Sequence, residues 1–183
     1  MTRILILYAS NYGQTCAIAN RIAHGLRETG NAVDLLDADR GALPDPKNYD
    51  IAVLGSRVQF GRHAVPVLDY IRAHRVTLME MPTAFFSVSM AAASGTAADP
   101  NGYMDTSFAA LDWYPTEAIA FGGGIPYQRY NWFLRQVMKR INRNAGRTTD
   151  TKRNHVFTDD HAVAAFTDRI DHLVSRPTSA AHV

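Results

Sequence analysis

The sequence predicts a doubly wound α/β domain built on a five-stranded parallel sheet. Short apolar runs alternate with stretches of helical period along the chain. The runs at 4–8 and 51–54 are continuously apolar, as expected for strands covered on both faces. The strands lead into loops of small and polar residues, the edge at which open α/β sheets bind ligands.

Residues 4–8 form the first strand, and a helix follows from Thr15 with Ile18, Ile22 and Leu26 on one stripe and Gly30 as its terminator. Residues 32–36 form the second strand. Pro44 and Pro46 punctuate a loop before a third strand at 50–55 that ends in glycine. Pro66 suits the first turn of a helix over 65–73. Residues 83–88 (TAFFSV) are the fourth strand, 103–111 a helix, and 117–121 the fifth strand, ahead of Gly122, Gly123 and Gly124. A β-like run at 155–157 precedes a last helix, with Thr158 as N-cap and Val163, Phe166, Ile170 and Leu173 buried. One domain is expected over 1–176, with an insertion at about 125–154 and a disordered tail at 177–183.

At 183 residues the chain can bury a full core, and its single cysteine excludes an intramolecular disulfide framework, so a reducing cytoplasm is the expected compartment. No apolar stretch reaches the ~18 residues of a membrane span, and the first apolar run lacks a cleavage signature, which leaves attachment to the inner face of the cell membrane open. Charge is unevenly placed. Six basic residues and no acid lie between Ala118 and Thr149, while the rest of the chain carries 13 basic against 17 acidic residues. A basic segment therefore sits on a mildly acidic domain.

The loop after the first strand reads Ser10, Asn11, Tyr12, Gly13, Gln14, Thr15 and opens directly into a helix. Its backbone N–H groups and the helix dipole favour an anion, with hydroxyl and amide side chains as further donors. It contains no lysine, so it is not the G-x-x-x-x-G-K-[ST] loop of nucleoside triphosphatases, and its lone Gly13 does not make a G-x-G-x-x-G dinucleotide fingerprint. A phosphomonoester held by neutral groups fits, and a capped turn without ligand is the competing account.

This Ser-x-x-Gly-x-Thr loop, with polar and glycine-containing loops after the third and fourth strands, resembles the FMN site of the flavodoxin family. YDIAVLGSRVQFG (49–61), MPTAFFSV (81–88), YQRYNW (127–132), TDT (149–151) and VFTD (156–159) extend the likeness over about 3–173. Together they resemble the flavodoxin-like, quinone-coupled protoporphyrinogen IX dehydrogenase family of haem biosynthesis. The resemblance implies FMN as cofactor, protoporphyrinogen IX as substrate and a membrane quinone as acceptor. It further implies that Ser10 to Thr15 hold the phosphate, that Ser87, Val88, Ser89, Met90, Ala91 and Gly123 line the flavin, and that Arg57, Val58, Gln59, Phe60 and Gly61 flank its other side with Phe60 stacked. Tyr127, Arg129, Tyr130, Trp132, Arg135 and Lys139 would face substrate or an anionic membrane surface.

Two departures stand out. The family pattern has an arginine before Tyr-Gly in the third-strand loop, where this chain has Gln59, with Arg57 two places earlier. After the fourth strand, where the family is basic, this chain reads AAASGTAADPNG.

The bland accounts are specific. Residues 127–143 can be an ordinary helix with a solvated basic face, Cys16 a small packed residue, and His63 a residue of the site's rim. The seven histidines show no H-E-x-x-H spacing, so no metal is expected, and no nucleic-acid motif accompanies the basic stretch. An electron-carrying flavodoxin, an NAD(P)H:quinone reductase and a flavin-free interaction domain are the rival functions. The basic insertion speaks against the first, since such carriers are typically acidic, and the intact 10–15 loop against the last. Whether the chain forms a homo-oligomer is left open.

Overall fold

The computed structural model describes residues 1–89, 92, 102–125, 155–156 and 158–175, and the side chains of 124–125, 155–156 and 174–175 stand outside that description. In chain order the elements are β1 (Arg3–Ala9), α1 (Gln14–Glu28), β2 (Ala32–Asp37), a 3₁₀ turn (Pro46–Asn48), β3 (Ile51–Gln59), β4 (Arg62–His63), α2 (Val65–Ala73), α3 (Arg75–Met79), β5 (Thr83–Ser89), α4 (Gly102–Leu111), β6 (Glu117–Gly122), β7 (Gly124–Ile125), β8 (His155–Val156) and α5 (Asp160–Ser175).

Five strands pair in parallel in the order β2-β1-β3-β5-β6, the doubly wound arrangement expected from the sequence. Alternation along each strand divides the core. Ile4, Ile6, Val53, Ala84 and Phe86 face α1 and α5, whereas Leu5, Leu7, Ala52, Leu54 and Phe85 face α2 and α4. Both sets are fully buried, which is why these strands carry no polar alternation. Gly55 is required by packing: a Cβ there would stand 2.1 Å from the Phe86 ring. On the other face Phe85 makes edge contacts with Phe108 and Trp113, at ring separations of 5.1 and 6.4 Å.

Two expectations are corrected, and one element is new. The third strand does not stop at Gly55 but runs to Gln59, and the segment expected as a loop is a hairpin in which Val58 pairs with His63 and Gln59 with Arg62. Thr158 is not the cap of the last helix. Asp159 takes that place, accepting the His161 N–H on Oδ1 at 2.9 Å and the Val163 N–H on its carbonyl at 3.1 Å. The five-residue helix α3 was not expected at all.

Candidate functional site

The carboxyl ends of β1, β3, β5 and β6 lie along one edge of the sheet. Between β1 and α1 the chain turns through Gly13 at φ 93, in the left-handed region. The Gly13 N–H donates to Ser10 Oγ at 3.1 Å. Helix α1 starts with no side-chain cap and no acid in its first turn, so its leading N–H groups and dipole stay available to an anion.

Hydrogen bonds tie this loop to its neighbours. Asn11 Nδ2 donates to Gln59 Oε1 at 2.8 Å, joining it to the hairpin. Gln14 Nε2 donates to Thr158 Oγ1, which in turn donates to the Gly122 carbonyl, both at 2.7 Å. The Gly123 N–H donates to the Ser89 carbonyl at 2.8 Å, and Ser89 Oγ accepts from the Ala92 N–H at 3.1 Å. Tyr12 is 38% exposed and Thr15 buried. Cys16 is half-buried, its thiol donating to Tyr8 Oη at 3.2 Å.

The hairpin turns on Phe60 at φ 51 and Gly61 at φ 75, the two successive positive values of a two-residue β-turn. Glycine takes this conformation readily. A bulky aromatic does so only under strain, of a kind that concentrates at functional sites. Phe60 is also 96% exposed, which leaves its ring free to cover a planar ligand. Arg57 is held in an ion pair with Asp39, Nη1 to Oδ2 at 3.0 Å.

Beneath the hairpin the expectation for His63 is overturned. It is not on the rim but 3% exposed, with Nδ1 at 2.8 Å from Ser107 Oγ and Nε2 at 3.0 Å from Ser87 Oγ. One ring nitrogen donates and the other accepts when the imidazole is neutral, and the two hydroxyls satisfy both. Burial pushes its pKa down to about 4, so it is neutral at physiological pH.

The sequence-expected residues are thus distributed in two ways. Ser10, Asn11, Gly13, Gln14, Gln59, Ser89 and Gly123 take part in the bonds above, and Tyr12 and Thr15 belong to the same loop. The side chains of Ser87 and Val88 point into the core on opposite faces of β5, so only their backbone borders the edge. Met90 and Ala91, together with Tyr127, Arg129, Tyr130, Trp132, Arg135 and Lys139, lie outside the described residues. Sequence reasoning misplaced His63 at the rim and missed Ser107, Asp39 and the bridging role of Thr158. The available signal was the Phe-Gly pair between polar residues, which marks a two-residue turn and sends His63 inward.

Fold and ligand edge define a flavodoxin-like α/β protein. The Flavodoxin domain model matches residues 5–152, and the chain belongs to that family. Over 178 residues it is 33% identical to the protoporphyrinogen IX dehydrogenase (quinone) of Escherichia coli strain K12, covering 96% of this chain and 98% of the relative. A protein of the same name from Leishmania major is 31% identical over 167 residues, 90% of this chain and 72% of the relative. Oxidised flavodoxin 1 of Bacillus cereus superposes with a TM-score of 0.58 at 14% identity, over 97% of this chain and 100% of the other, a likeness of fold.

Proposed function

We propose that this protein is an FMN-dependent oxidoreductase that converts protoporphyrinogen IX to protoporphyrin IX and passes the electrons to a membrane quinone. The observation that carries this is the 33% identity with the Escherichia coli protoporphyrinogen IX dehydrogenase (quinone), sustained over 96% of the chain. The donor chemistry fits the cofactor. An uncapped helix start, a left-handed glycine and neutral hydroxyl and amide groups suit one terminal phosphate, and an exposed aromatic on a rigid turn suits a planar ring.

Bound FMN supplies a two-electron acceptor that a quinone can reoxidise. The chain supplies position. When FMN is bound, Ser10, Asn11, Tyr12, Gly13, Gln14 and Thr15 would hold its phosphate, the Ser87 to Ala91 and Arg57 to Gly61 segments with Gly123 would line the flavin, and Phe60 would exclude water from its ring. The basic insertion that includes Tyr127, Arg129, Tyr130, Trp132, Arg135 and Lys139 brings the protein to an anionic membrane surface, each cation contributing on the order of 1 kcal/mol near the headgroups. Among the described residues no helix is long and apolar enough to cross a membrane.

Anaerobic mixing of the FMN-loaded protein with protoporphyrinogen IX should bleach the flavin absorbance, and added quinone should restore it. Rapid bleaching by NADPH with none by protoporphyrinogen would make it a quinone reductase instead. A protein that leaves FMN fluorescence unquenched on titration is no flavoprotein.

A further inference from the structure

We propose that Arg62 is the carboxylate anchor of the substrate site, a specificity residue that takes a propionate of the tetrapyrrole. This rests on the function proposed above, and protoporphyrinogen IX presents two propionates on an otherwise apolar macrocycle. Ten lysines and arginines fall among the described residues. Seven of them (Arg21, Arg40, Lys47, Arg57, Arg72, Arg75 and Arg169) are paired with carboxylates. Arg27 donates to the Val33 carbonyl, and Arg3 lies over the Tyr49 ring. Arg62 remains: it is exposed and has no acid, carbonyl or ring partner among the described residues.

Its place makes that vacancy meaningful. Arg62 follows the Phe60-Gly61 turn and stands directly across from Gln59, which is bonded to Asn11 of the phosphate loop. The two other arginines at this edge, Arg40 and Arg57, are neutralised by Asp37 and Asp39. The backbone carrying Arg62 is fixed from below, because the next residue is the buried His63 clamped between Ser87 and Ser107. Alternation then sends the Arg62 side chain to the opposite, solvent side. A guanidinium presented by a pinned two-residue strand suits bidentate capture of a carboxylate, for which lysine is a poor substitute.

The test is equilibrium binding of protoporphyrin IX and of its dimethyl ester to the FMN-loaded protein, read by porphyrin fluorescence, for wild type, Arg62→Gln, Arg62→Lys and the remote control Arg72→Gln. Arg62→Gln should weaken diacid binding on the order of tenfold, leave the ester and the FMN dissociation constant unchanged, and be partly restored in Arg62→Lys. Arg72→Gln should match wild type. Diacid binding unchanged in Arg62→Gln, or lost equally with the ester, overturns the anchor while leaving the function standing. A wild-type protein that binds neither porphyrin overturns both.

Discussion

The loop at 10–15 and the hairpin at 59–63 stand side by side at one edge of the sheet, joined by the Asn11–Gln59 bond, yet they are held in opposite ways. The loop is built from its own backbone, with Gly13 in the left-handed region, Ser10 accepting the Gly13 N–H and the first turn of α1 uncapped. The hairpin is built from beneath, by a buried imidazole reaching two hydroxyls on β5 and α4. Local backbone geometry thus leaves N–H donors open at the loop, which under the proposed function receive a phosphate, and long-range polar burial sets the direction of the hairpin's side chains. Changes to the first should act on ligand affinity, and changes to the second on stability and its dependence on pH.

Gly13→Val breaks the loop alone and carries the largest expected effect. A β-branched residue at φ 93 is strained by about 1–3 kcal/mol, and its side chain meets the approaching phosphate. FMN affinity should fall at least roughly a hundredfold, which is about 2.7 kcal/mol, with the far-ultraviolet circular dichroism spectrum preserved. Fluorescence titration checks this, and an unchanged dissociation constant would remove the loop from the site.

His63 sharpens the contrast from the other side. Its folded pKa of about 4 lies below the ordinary 6.5, so between those values the unfolded chain binds more protons and stability rises with pH. The contribution is complete above about pH 6.5 and is lost as pH falls towards 4, up to roughly 3 kcal/mol at that limit. His63→Gln keeps a donor and an acceptor but cannot titrate, so urea midpoints measured from pH 7 to pH 4.5 should fall less steeply than in wild type. Parallel slopes in the two proteins would show that the imidazole is not held neutral by burial.

What could be read in the sequence follows the same division. The five parallel strands and α1 were legible because each rests on local pattern, apolar runs and one helical stripe, and the glycine before α1 stands where the sequence puts a turn. The extension of β3 was not, since Ser56, Arg57, Val58 and Gln59 look like loop by composition and pair only because β4 folds back on them. His63 was misplaced because its burial depends on Ser107, 44 residues on. Thr158 and Asp159 are equally able to cap a helix, and the choice between them is made by Gln14, 144 residues away, which draws the threonine hydroxyl aside.

That hydroxyl is where the two modes of construction meet, and its removal should have the smallest effect. Thr158→Val keeps the shape of the side chain while removing the acceptor for Gln14 Nε2 and the donor to the Gly122 carbonyl. Two part-buried groups lose a partner, at a cost of about 1–2 kcal/mol in stability after partial rescue by water. If Gln14 serves the proposed cradle, FMN affinity should also fall, by less than about tenfold, whereas Thr158→Ser retains both bonds and should bind like wild type. A loss in the serine variant with none in the valine variant would mean that the threonine methyl, not the hydroxyl bridge, holds the end of β6 to the 10–15 loop. A loss confined to valine would show that a residue from the far end of the chain tunes a cradle otherwise made by its own backbone.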